Sequence, residues 1–228
     1  LYDDTAARDF APFALTRPAG ELRAGAFLTR ERWVRLLGSP ATAFVSAPHL
    51  RDFVEEGAPP AASAHIPSGS WLVNARCAPA MASLALTPEL GSIRVAGRVA
   101  AVKLSRDLPL ADFGDGALDL ATLASGHSVE VHGWWLEQVW DLVGLLPAML
   151  LDDAITLVPQ DPQTHGITVL GEYAVHVEPG AKIEPFVVAD TSGGPVVIRH
   201  GAHVMAFTRF VGPCVIGEES TVMGGRLA

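Results

Sequence analysis

From Ile198 onward an apolar residue returns at every sixth position, giving Ile198, Val204, Phe210, Ile216 and Val222. Val177, Ile183 and Ala189 hold the same register upstream, and residues 190–197 contain one such unit with three extra residues. Turn-forming residues follow several of these anchors, as in Val177-Glu178-Pro179-Gly180. A period of six matches neither the helix period of 3.6 nor strand alternation. It predicts a parallel β-helix, in which each unit supplies one short strand and one corner and the periodic residue points inward. The pattern reaches Gly224-Gly225-Arg226-Leu227-Ala228 without a capping unit, so the natural protein is expected to continue.

Residues 1–160 carry a different pattern. Leu1-Tyr2-Asp3-Asp4 reads as a strand end with two carboxylates at its carboxyl edge, where open α/β sheets place their ligand crevices. Residues 5–25 form a polar loop carrying Arg8, Arg17 and Arg23. Residues 28–37 predict a helix capped by Thr29, with Leu28, Trp33, Leu36 and Leu37 on one face. Strands are expected over 41–46, 70–75 and 94–104, short helices over 48–56 and 79–84, and a longer helix over 140–153. Short strands alternating with short helices predict an α/β sheet. The turn-rich segment 159–164 marks the boundary, giving an α/β domain over 1–160 and a β-helix over 161–228.

Hydrophobic residues make up 49% of the chain, and no apolar run approaches the length of a membrane span. A formal charge of -9 argues against nucleic-acid binding, which needs clustered cations, and leaves room for a local phosphate pocket. Cys77 and Cys214 lie one in each module, so a disulfide framework is not expected and a reducing cytoplasm is the default location.

Pro12-Phe13-Ala14-Leu15-Thr16-Arg17-Pro18 is similar to the P-L-T-x-x-x-P segment of sugar-phosphate nucleotidyltransferases. One branch of that superfamily matches further, through Thr16, Arg17, Pro18, Glu21, Leu22, Arg23, Gly25, Arg30, Glu31, Arg32 and Trp33, and again at Gly194-Pro195-Val196. The two-module order resembles the bifunctional N-acetylglucosamine-1-phosphate uridyltransferases. That resemblance implies a Rossmann-like, nucleotidyltransferase-like domain followed by a left-handed parallel β-helix of hexapeptide repeats. It also implies a nucleotide or sugar phosphate as partner, magnesium as a cofactor and a homotrimer built through residues 171–228. Catalytic residues are not identified by it.

The departures bear on chemistry. Aligned back from Pro12, the glycine-rich phosphate loop of working pyrophosphorylases becomes Thr5, Ala7, Arg8 and Asp9, and the glycine and aspartate of their metal site become Ala75 and Arg76, next to Asn74. Two readings stay open for the remaining arginines. Arg17, Arg23 and Arg30 form a substitute phosphate clamp, with Glu21 orienting one of them and Asn74 nearby, or Glu21 pairs with an arginine merely to fix the loop. Asp3 and Asp4 are candidate magnesium ligands or capping residues. His176, His200 and His203 are expected at the surface of the β-helix, and Trp134, Trp135 and Trp140 in an interdomain core.

Overall fold

The computed structural model describes residues 1–164 and 166–227. The chain divides into two compact units, Leu1–Leu145 and Leu146–Ala228.

The first unit is built on a four-stranded mixed sheet in the order Trp71–Val73, Arg98–Lys103, Leu90–Val95, His127–Val131. The first three strands pair antiparallel and the last pair is parallel. Tyr2 extends the sheet, bridging in parallel to Asn74 on one side and Val45 on the other. Side chains alternate across these strands, so each face of the sheet carries its own core. Trp33, Leu36, Val73, Ile93, Val95 and Ala101 pack on one face. Tyr2, Leu72, Val102, Leu108, Phe113 and Leu120 pack on the other.

The amphipathic helix expected over 28–37 is present as Thr29–Leu37, with Trp33, Leu36 and Leu37 buried. Its cap differs from the expectation. Leu28 is the N-cap, its N–H donates to Glu31 Oε2 at 2.8 Å, and the Thr29 hydroxyl donates instead to the Leu22 carbonyl at 3.3 Å. The single strand expected over 94–104 is a hairpin, Leu90–Val95 and Arg98–Lys103, turned at Ala96 and Gly97 with φ of 49° and 75°. Two successive positive φ angles make the tight turn whose twist suits antiparallel strands. The helix expected over 79–84 is absent; Cys77–Pro79 is a strand paired with Gly133–Trp135. Over 48–56 only the 3-10 turn Pro48–Leu50 forms, and over 41–46 only isolated bridges at Phe44 and Val45. The helix expected over 140–153 is split into the single turn Asp141–Gly144 and the helix Leu146–Leu157.

Among the described residues the second unit contains three parallel sheets, of four, three and three strands. Successive strands move from one sheet to the next and return to the first after each circuit, which is the arrangement of a three-sided parallel β-helix. Val175 pairs with Val196, twenty-one residues on, and Val196 pairs with Cys214, eighteen on. The longer circuit contains the three extra residues of segment 190–197. Val177, Ala189, Ile198, Val204, Phe210, Ile216 and Val222 share one buried cluster, with Ile183 packed against it. At Gly194 a Cβ would lie 2.8 Å from Pro213 Cβ and 3.0 Å from Leu151 Cδ2, so the extra residues and the helix Leu146–Leu157 meet where only glycine fits.

The inward register makes a quantitative expectation. Phe210 is fully buried, whereas Phe207, three residues earlier on a corner, is 73% exposed and stacks on Phe186 at 5.2 Å. Phe210→Ala is expected to destabilise by about 3–5 kcal/mol. Phe207→Ala is expected to cost about 1 kcal/mol or less. Urea denaturation of the two variants checks this; equal losses would refute the register.

Candidate functional site

The site grows out of one pairing. Tyr2 accepts from the Ala75 N–H at 2.9 Å and donates to the Val73 carbonyl at 2.8 Å, so the segments around Tyr2 and Asn74 leave the sheet side by side in the same direction. Two residues further along each, Asp4 meets Arg76. Arg76 Nε donates to Asp4 Oδ1 at 2.7 Å and Nη2 to Oδ2 at 2.8 Å, a bidentate fork. Asp4 Oδ2 also accepts from Asn74 Nδ2 at 2.8 Å, and Oδ1 from the Ala7 N–H at 2.9 Å. Arg76 Nη1 donates to the Leu136 carbonyl at 2.8 Å and to Glu137 Oε2 at 3.1 Å. Glu137 reaches Arg98 with its other oxygen, and the Arg98 guanidinium lies 4.0 Å from the Trp135 ring centroid.

These contacts set the ionisation of the group. Burial pushes the Asp4 carboxyl up, but the bonds from Arg76, Asn74 and Ala7 outweigh it and hold it below the ordinary aspartate range. Burial likewise works against the Arg76 charge, and its carboxylate partners overcome this and raise it.

Asp3 stands apart from this cluster. Its carboxylate is buried and accepts from the Ala19 N–H at 3.1 Å and from the Ser46 hydroxyl. Burial raises it to about 6 against the pull of those two bonds.

The stretch 5–8, where the resembled enzymes carry their phosphate loop, is a single helical turn capped by Asp4. Gly116 packs against its start. With φ of 92°, it would place a Cβ 2.7 Å from the Thr5 nitrogen, so this approach admits glycine alone.

Beside the cluster lies a cleft of about 490 Å³, lined by Asp4, Asn74, Arg94, Arg98, Trp135 and the segment 116–121. Of the residues singled out from sequence, Asp4 and Asn74 come together here. The loop arginines are placed elsewhere. Arg30 pairs with buried Glu21 through two bonds, at 2.7 and 3.2 Å, tying the loop to the helix Thr29–Leu37. Arg17 lies 3.5 Å from Glu55, and Arg23 donates to the Ala26 carbonyl. Arg94, Arg98 and Glu137 were not signalled by the sequence, and Trp135 only as a core residue, because they are brought to the cleft by pairing between distant strands.

His176 is buried, contrary to the expectation, and its Nδ1 accepts from the Gln163 N–H at 3.3 Å. His200 is exposed and donates to the Pro179 carbonyl, and His203 lies 3.0 Å from Glu184. Trp140 is 65% exposed and thus not a core residue. Trp134 and Trp135 are half-buried, facing Arg32 and Arg98.

The cleft and its polar loops gather at the ends of parallel-paired segments of the sheet, the place where open α/β sheets form their crevices. The comparison with known families is specific: a model described as sugar nucleotidyl transferase matches residues 1–160, and the chain belongs to that family. No curated protein and no solved structure matches it. No helix among the described residues is long and apolar enough to cross a membrane, and both Cys77 and Cys214 are free thiols.

The two adjacent aspartates titrate in opposite senses. Between the ordinary aspartate value near 4 and about 6, the folded protein holds a proton on Asp3 that the unfolded chain has released. Stability attributable to Asp3 therefore falls as pH rises through that window. Asp4 contributes above the unfolded value, and its contribution is lost on the acid side, as pH drops through its lowered one. Melting temperatures across pH 4–6 are expected to lose the Asp3 slope in Asp3→Asn. An unchanged slope would show that Asp3 holds no such proton.

Proposed function

We propose that the first unit binds a nucleotide or sugar phosphate in the cleft beside Asp4, and that the chain is a nucleotidyltransferase-like protein of the two-module type. The observation that carries this reading is the cleft itself, about 490 Å³ within the family-matched residues, with Arg94, Arg98, Asn74 and Trp135 on its walls. Arg98 and Arg94 are half-exposed and offer guanidinium forks to phosphate, and Trp135 and Asn74 offer a flat apolar edge and an amide. Arg17 and Arg23, on the loop that Glu21 and Arg30 anchor, are a second candidate pair for phosphate.

Calorimetric titration with nucleoside triphosphates, sugar nucleotides and sugar phosphates tests the reading. Arg98→Ala is expected to weaken binding about tenfold, as loss of one charged hydrogen bond does. Arg17→Ala and Arg23→Ala are the comparison. Failure of every ligand to bind would end the proposal.

A second reading, a catalytically silent binding module, is favoured by the capped turn Thr5–Arg8 in place of a phosphate loop. Pyrophosphate release from a triphosphate and a sugar phosphate, lost with the cleft variant, would count against it. For the second unit we propose a left-handed hexapeptide-repeat helix that assembles as a cytoplasmic homotrimer, with acyl transfer as a further activity of the whole protein. Its parallel three-sided sheets and exposed corner residues Phe186, Phe207 and Met223 support assembly. A monomer by light scattering at micromolar concentration would refute it.

A further inference from the structure

Magnesium, which the family resemblance implies, does not fit the carboxylates present. A carboxylate offers about four lone-pair positions, and four donors already meet Asp4: Arg76 twice, Asn74 and the Ala7 N–H. Asp3 is buried, and its carboxylate is turned away to the Ala19 N–H and the Ser46 hydroxyl. No group of three or more ligating side chains stands ready for a metal among the described residues.

What the oxygens of this cluster hold is the Arg76 guanidinium. Asp4, Glu137 and the Leu136 carbonyl surround it as hard oxygen donors surround a divalent ion. The four charged groups, Asp4 and Glu137 against Arg76 and Arg98, sum to zero, so no excess negative charge is left to recruit a cation.

We propose that Arg76 is a resident cation in the position a divalent metal would take, and that this cleft engages its anionic ligand without magnesium. The first half stands on the geometry alone, and the second rests on the ligand reading given above. Arg76 is a positioning residue: it neutralises Asp4, orients Glu137 and, through Glu137, sets Arg98 over Trp135.

The test separates the two halves. Manganese(II) titrated into the wild-type protein and followed by electron paramagnetic resonance is expected to stay free in solution at concentrations up to about a millimolar. Bound manganese that disappears in Asp4→Asn would overturn the resident-cation proposal whether or not any nucleotide binds. Arg76→Gln, with folding checked by circular dichroism, is expected to bind manganese through the freed carboxylates. A folded variant that binds none would show that guanidinium and metal do not compete for one place. If Arg76→Gln does not fold, the wild-type titration decides alone: manganese bound there and lost in Asp4→Asn overturns the proposal, and manganese left free upholds it. For the second half, titration with uridine diphosphate in EDTA and in magnesium is expected to give dissociation constants within about twofold of each other. Affinity about tenfold tighter with magnesium would overturn it. Absence of binding in both buffers would end the ligand reading, and with it this second half, leaving the metal result to stand alone.

Discussion

Parallel pairing of Tyr2 with Asn74 is the constraint on which the first unit depends. It fixes the register of two segments that lie about seventy residues apart in sequence and sends both out of the sheet at one edge. Asp4 and Arg76 then have no choice of partner. Each is buried enough that standing alone would cost several kcal/mol, since an unpaired charge in such surroundings is strongly unfavourable. Their mutual bonds compensate, and they also organise the neighbours. Asp4 caps the turn Thr5–Arg8, Arg76 holds the Leu136–Glu137 backbone and carboxylate, and Glu137 carries Arg98 onto Trp135. One register thereby sets the floor and one wall of the cleft.

The second unit is governed by a different economy of contacts. Its strands are only two to four residues long, too short to be stable alone, and each is held by a parallel neighbour in an adjacent circuit, the inner ones by two. Every circuit must therefore point its periodic residue inward. The corners take the strain: Phe186 and Phe207 adopt left-handed φ angles of 67° and 63°, unusual for bulky residues, and lie against each other across adjacent circuits. Stacking of the rings, with planes 11° apart, offsets part of that cost.

This difference explains what was legible from the amino-acid order. Phe210 and Ile216 could be placed inside because the spacing alone obliges them inward, and Trp33 and Leu36 because a helical face repeats locally. The strand Arg98–Lys103 was half-read. Ala96-Gly97 marks its turn, but valines recur on both sides of the break, at Val95, Val99 and Val102, and hide it. Pro79 looked like a helix start, yet its carbonyl-bearing segment pairs with Gly133 more than fifty residues on, and no local signal carries that. The site was legible only in part for the same reason. Asp4 and Asn74 drew notice through their neighbours in sequence, whereas Glu137, Arg98 and Trp135 reach them through long-range pairing. Both readings of Glu21 gave it an arginine partner, and that partner is Arg30 of the nearby helix.

A guanidinium and a divalent ion are not equivalent tenants of an oxygen cage, and the difference shapes what such a cleft can do. A metal with open positions keeps part of its charge directed at the ligand and polarises it. Arg76 directs its forks at Asp4, Leu136 and Glu137, so its charge is largely answered within the protein. The field that faces the cleft then comes from Arg94 and Arg98, both about half-exposed and both already beside a carboxylate. Charges of that kind are screened by salt over about 10 Å at ordinary ionic strength, so they attract and orient an anion more effectively than they activate one. On the proposed ligand reading, the same Asp4–Arg76 pair that makes the cleft rigid also turns it from a polarising site toward a holding one.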